Sequence, residues 1–239
     1  MKNKKINVLL ILGAILVQSL LYQSMSFELY KLPFASSLMI FESQKANLLL
    51  ILYAFVPVPF ILVEFSGRGR ELTEGYGKVW IIRSYKREWL CLKIIKNIAL
   101  ELLAIVLCLV LAFSFGEEKW KNISLKQAVW IVMAYYVGLM AVILLQFYLE
   151  LFLEPSYANM ITNVFFVLSL FIGNSVLTLK RFRWLGFLLF PNMLFGVRNG
   201  MIEQQNIEIN YEYAFLYLIA VSAILCLLAV LKFRKKDIY

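Results

Sequence analysis

Apolar positions in this chain gather into long unbroken runs, organised neither by a strand's alternation nor by the three-and-four step of a half-buried helix. Six runs, at about 6–22, 46–65, 97–115, 128–152, 158–179 and 213–231, approach the length a helix needs to cross a hydrocarbon core. In lipid a backbone must satisfy its own hydrogen bonds, so each run predicts a helix. The expected fold class is all-α integral membrane, one transmembrane domain over residues 1–239 with six transmembrane helices.

The interruptions refine that picture. Pro57 and Pro59 lie inside the second run, where each removes a backbone donor, and predict a kink. Glu150, Glu154 and Pro155 leave only a tight antiparallel hairpin between the fourth and fifth spans. The apolar stretch 184–197 is shorter than a span and broken by Pro191, which predicts a re-entrant or interfacial outer segment before the sixth span. The first run follows Lys2, Lys4 and Lys5 as a secretory signal would, but it is longer than a signal's apolar region and is read as a retained span.

Composition agrees with a lipid solvent: 62% of residues are hydrophobic and mean hydropathy is +0.77. The net charge of +9 would suggest nucleic acid in a soluble chain, yet here the basic residues flank apolar runs, where they set orientation, so no nucleic-acid partner is expected. With both termini cytoplasmic, 15 Lys or Arg fall inside: three at the N-terminus, eight in the linker 66–96 and four at the C-terminus. Nine fall outside, and Lys180, Arg181, Arg183 and Arg198 run against the bias. The 3 cysteines, Cys91, Cys108 and Cys226, are widely spaced and suit neither a disulfide framework nor a zinc site. Histidine is absent, which removes the usual general base and the commonest metal ligand. No catalytic, cofactor or metal site is expected on this chain.

The linker 66–96 is the most charged stretch and opens with Gly67, Gly69, Gly75 and Gly77. Ile82, Tyr85, Trp89 and Leu92 step by three and four, with Arg83, Lys86 and Arg87 on another face, which predicts an amphipathic helix in the interface plane. Two readings stand: the helix rests on anionic membrane lipid, or it is a docking surface that passes a partner's push to the spans it joins. The glycines do not form a phosphate-binding loop, because Gly77 and Lys78 are followed by Val79 and no glycine stands five before Gly77.

Six spans, basic ends, an amphipathic second-to-third linker and a broken outer hairpin together resemble the type-2 permease family of ATP-binding-cassette exporters, with residue-level likeness confined to Glu74 through Glu88. The resemblance implies a non-catalytic permease that pairs with a second copy, identical or different, and works with cytoplasmic ATPase subunits carrying ATP and Mg. It implies that Glu74, Gly75, Tyr76, Gly77 and Arg83, with Lys86 and Arg87 beside them, form the coupling helix. The turn at Glu150 and Glu154 would be a smaller contact. Both carboxylates could equally cap helix ends in water. The cargo implied is hydrophobic or amphipathic and peptide-like, as in bacterial antimicrobial-peptide export or immunity, at the plasma membrane. The alternative is a non-transporting anchor or sensor that recruits a cytoplasmic partner through its basic linker.

Within the spans, Glu64 and Glu101 lie near the expected cytoplasmic ends, so no proton or sodium relay is apparent at mid-membrane. Gln18, Gln146, Asn163 and Asn174 either line a polar seam or bridge helices. Ala134-x-x-x-Gly138 and Ser169-x-x-x-Gly173 permit close helix approach, within the chain or between copies.

Overall fold

The computed structural model describes residues 4–24, 48–74, 79, 86–114, 124–178, 184–196, 198–200 and 209–235. Among them there is helix and turn but no strand. The helices are α1 (Lys4–Ser24), α2 (Leu48–Phe55), α3 (Pro57–Phe65), α4 (Arg68–Glu74), α5 (Arg87–Ser114), α6 (Leu125–Glu150), α7 (Pro155–Thr178), α8 (Leu185–Leu188) and α9 (Tyr211–Lys235), with a 3-10 turn at Phe190–Leu194. Five segments are long and apolar enough to cross a membrane: Ile51–Leu72, Arg87–Ala112, Leu125–Glu150, Pro155–Leu177 and Tyr211–Lys235. The first expected span coincides with α1, whose apolar stretch Asn7–Gln18 is shorter than that criterion.

Backbone chemistry explains where the second span breaks. Pro57 and Pro59 divide it at Val56, between α2 and α3. The carbonyl of Tyr53 would ordinarily accept from residue 57, a proline without an N–H. The buried Gln18 side chain on α1 donates to that carbonyl instead, at 3.1 Å. At the end of α3 the Ser66 N–H turns back to Val63, and the buried Gln146 on α6 donates to the carbonyl of Leu62 at 3.1 Å. Gln18 and Gln146 therefore bridge helices. A turn at Ser66 and Gly67 then separates α3 from α4, and the φ of 87° at Gly67 suits a residue without Cβ.

The other boundaries follow local signals. Ser124 and Gln127 form a capping box that starts α6, each side chain meeting the other's backbone N–H. Pro155 opens α7, giving the expected tight turn after α6. The expected third span at 97–115 is instead α5, which begins at Arg87, because no Gly or Pro interrupts Arg87–Ser114. Trp89 and Leu92, expected on a separate interfacial helix, are the first turns of that span; Ile82 and Tyr85 lie outside the described residues.

α6 is the centre of the bundle: 56% of its most apolar window is buried, against 22–44% for the other candidate spans. It packs along α9, where Trp130 meets Phe215 edge-on at 5.1 Å, and against α5, where the Tyr136 hydroxyl donates to the carbonyl of Ala99. Large apolar side chains such as Leu107, Leu168 and Leu227 remain exposed on the outer faces, as they would against lipid.

Residues 184–196 fold inward as the short α8 and the 3-10 turn, and Phe190, Asn192, Met193, Leu194, Phe195 and Arg198 are all buried. Their backbone is not helical enough to satisfy itself, and side chains fill the gap. Asn192 donates to the carbonyls of Ser169 and Leu189, at 2.8 and 2.9 Å. Arg198 donates to the Leu170 carbonyl at 2.9 Å and to the Asn192 side-chain oxygen. Both small-residue motifs serve this segment: Gly138 lies under Leu194 and Gly173 under Asn192, with no room for a Cβ at either. Gly13 on α1, by contrast, has open space around it.

The glycines give opposite expectations for the same substitution. Gly138→Ala must displace the buried Leu194 and should cost about 1–3 kcal/mol. Gly13→Ala should be neutral or stabilise by up to about 1 kcal/mol through helix propensity. Thermal denaturation of the detergent-purified protein reads both; equal shifts would contradict the packing described.

Candidate functional site

Most of the charged residues described by the structure gather where α3 passes into α4, α5 begins, and α6 and α9 end. The junction is built around Glu150, the last residue of α6, which is buried. One carboxylate oxygen accepts from the N–H of Gly67 and the other from the N–H of Gly69, both at 2.8 Å. Those amides open α4, where a helix leaves its first N–H groups without internal partners and favours negative charge. Gln146, one turn earlier, donates to Glu150 at 3.1 Å as well as to Leu62. The approach is close enough that a Cβ at Gly69 would stand 2.9 Å from that of Glu150 and 3.2 Å from the Phe147 carbonyl. Thus two residues of α6 satisfy both a carbonyl at the end of α3 and the amides at the start of α4.

Other contacts extend the junction. Arg68 pairs with Glu101 of α5 at 2.6 Å, half-exposed, tying the head of α4 to a third helix. Arg87 donates to the backbone carbonyl of Arg234 at 3.3 Å, one of the carbonyls a helix leaves unpaired in its last turn. The Arg234 side chain reaches Glu88 at 3.4 Å, an exposed pair of small energetic weight. Lys232 lies over the ring of Phe152 at 4.2 Å, and that ring meets Tyr148 edge-on at 5.1 Å. Lys232, Arg234 and Lys235 all complement the negative end of α9.

The residues expected at a partner surface therefore separate. Lys86 and Glu154 are exposed and free to face a partner sterically. Arg87 is half-buried and holds the end of α9. Glu150 is buried, and its oxygens point inward onto Gly67, Gly69 and Gln146. Glu74 closes α4, while Gly75, Tyr76, Gly77 and Arg83 lie outside the described residues.

Reading by residue type missed the partners of Glu150. Gly67 and Gly69 were legible as glycines, and Gln146 and Glu150 as an i, i+4 polar pair ending an apolar helix, but nothing along the chain joins positions more than 80 residues apart. Among the described residues no group of three Cys, Asp or Glu side chains comes together to hold a metal ion.

The family described as "Protein of unknown function (DUF2705)" matches residues 11–239, so its model takes in the bundle and the whole of this junction. The chain belongs to the DUF2705 family. It is also similar to the uncharacterized protein YybK of Bacillus subtilis (strain 168), with 24% identity over 214 residues, covering 86% of this chain and 85% of YybK. No solved structure matches the chain.

The junction makes a graded prediction. Glu150→Gln replaces an acceptor-only carboxylate with a group that brings a donor toward amide N–H groups, and should destabilise by about 1–3 kcal/mol. Glu154→Gln, at an exposed position four residues on, should lie within about 0.5 kcal/mol of the parent. Thermal or denaturant unfolding of the two variants side by side checks it.

Proposed function

We propose that the chain is the transmembrane permease subunit of an ATP-driven exporter. It spans the bacterial plasma membrane six times with both termini cytoplasmic, and residues 184–197 form a re-entrant or interfacial hairpin on the outer side. It pairs with a second permease copy. Separate cytoplasmic ATPase subunits bind ATP and Mg, and the cargo is hydrophobic or amphipathic, of peptide type. The Lys and Arg bias and the resemblance of Glu74–Glu88 to the type-2 permeases support this reading.

The observation that carries it is the Glu150 junction. A partner bound to the linker between the second and third spans has a mechanical path inward: α4 is fastened through Gly67 and Gly69 to the end of α6, the helix at the centre of the bundle. Arg68 carries the same displacement to α5 through Glu101. A push on the linker is then delivered to packed helices that rearrange between discrete positions instead of being absorbed in a loop. The exposed Lys86 beside this junction offers positive charge to an acidic partner surface, and the resemblance adds Arg83 to it.

The test is co-purification. The full-length chain, expressed with its neighbouring reading frames, should retain a soluble ATPase, and Arg83→Glu with Lys86→Glu should abolish retention while the protein stays inserted and folded. The chain alone should show no ATP turnover. Turnover by the isolated chain at about 1 per second or faster would overturn the assignment of hydrolysis to another subunit. Retention of a non-ATPase partner by the same basic residues would favour the anchor or sensor reading instead.

A further inference from the structure

α5 turns one continuous stripe outward. Trp89, Lys93, Lys96, Leu100, Leu103, Leu107 and Leu111 follow one another by three or four residues and all are exposed. The leucines belong to a helix that is long and apolar enough to cross a membrane, so this stripe is the part that meets acyl chains. At its lower end the stripe changes from leucine to lysine without turning away from the lipid side. The Lys93 ammonium sits 5.0 Å from the centre of the Trp89 ring, so the tryptophan and the two lysines occupy one short patch.

We propose that Trp89, Lys93 and Lys96 bind the headgroup of an anionic phospholipid whose acyl chains lie along Leu100, Leu103 and Leu107. Three features commit the patch to lipid. Tryptophan favours the membrane–water boundary, where its apolar ring and polar N–H are both accommodated. Lysine extends an apolar stem along a helix and delivers its charge to the headgroup level. Phosphates of anionic lipids supply the opposite charge at that level, and each nearby basic side chain strengthens attachment by about fivefold.

The depth is consistent with a headgroup. Glu101, five residues beyond Lys96, already pairs with Arg68 at the junction where α6 ends, so Lys93 and Lys96 stand just outside the apolar zone. A second copy of the chain suits this stripe less well, because two such faces would bring lysines against lysines. A soluble partner would have to displace lipid from the leucines directly above. The inference needs only that the chain is embedded in a bilayer and does not rest on the export reading.

The full-length chain in nanodiscs tests it by exchange of dioleoyl phosphatidylglycerol against dioleoyl phosphatidylcholine, with retained lipid counted by native mass spectrometry. The parent should retain the anionic lipid preferentially. Lys96→Gln should lower that preference about fivefold and Lys93→Gln with Lys96→Gln about thirtyfold, whereas Lys93→Arg with Lys96→Arg keeps it. Melting in pure phosphatidylcholine should be the same for all, which separates lost lipid from lost folding. Inorganic phosphate should neither be retained nor compete. An unchanged preference in the double Gln variant overturns the proposal, as does equal competition by inorganic phosphate. Loss of ATPase co-purification in that variant with lipid preference intact would assign the patch to the protein partner and overturn it too.

Discussion

A backbone polar group left unpaired away from water is costly, and in this chain that constraint decides which side chains matter. The second span is broken twice over a short distance, by Pro57 and by the turn at Gly67. Each break orphans groups that the rest of the bundle then supplies. Gln18 answers the Tyr53 carbonyl, Gln146 the Leu62 carbonyl, and Glu150 the amides of Gly67 and Gly69. The same bookkeeping governs the inward segment before α9, where Asn192, Arg198 and Asn199 supply donors to carbonyls of α7 and of the segment itself. The polar residues inside an otherwise apolar bundle are thus concentrated where helices fail.

Those failures also determine connectivity. A continuous second span could have been an independent rod, packed by apolar contact alone. Because it is broken, directional bonds join α2 to α1 and both α3 and α4 to α6, and α4 cannot shift without either moving α6 or leaving two amides unpaired. The glycines complement this arrangement from the packing side: Gly69 lets α4 approach Glu150, while Gly138 and Gly173 let the inward segment sit against α6 and α7.

The long apolar runs, the interruption at Pro57, the tight turn before Pro155 and the short broken stretch around Pro191 were all legible along the chain, since each follows from local composition. The start of α5 was not. Residues 82–92 carry an amphipathic spacing, and a helix lying at the interface and the first turns of a membrane-crossing helix share that spacing. No Gly or Pro stands between Val79 and Ser114 to mark where one would end and the other begin. Glu150 and Glu154 likewise look alike in sequence, two carboxylates beside a turn, yet one is buried on amides and the other exposed. Burial depends on α4, whose docking is set by residues distant in the chain. Family membership over residues 11–239 is consistent with a single architecture for the whole bundle and leaves its activity to be argued from such contacts.

Amide hydrogen exchange at Gly67 and Gly69 tests most directly whether Glu150 fastens the linker to the bundle. In the parent protein both amides should be protected together with α6. In Glu150→Ala, which keeps the Cβ but removes both acceptors, they should exchange faster by about tenfold or more, corresponding to loss of about 1.4 kcal/mol or more of local protection, with α9 unchanged. Equal protection of the two glycine amides in parent and variant would contradict the role assigned to Glu150.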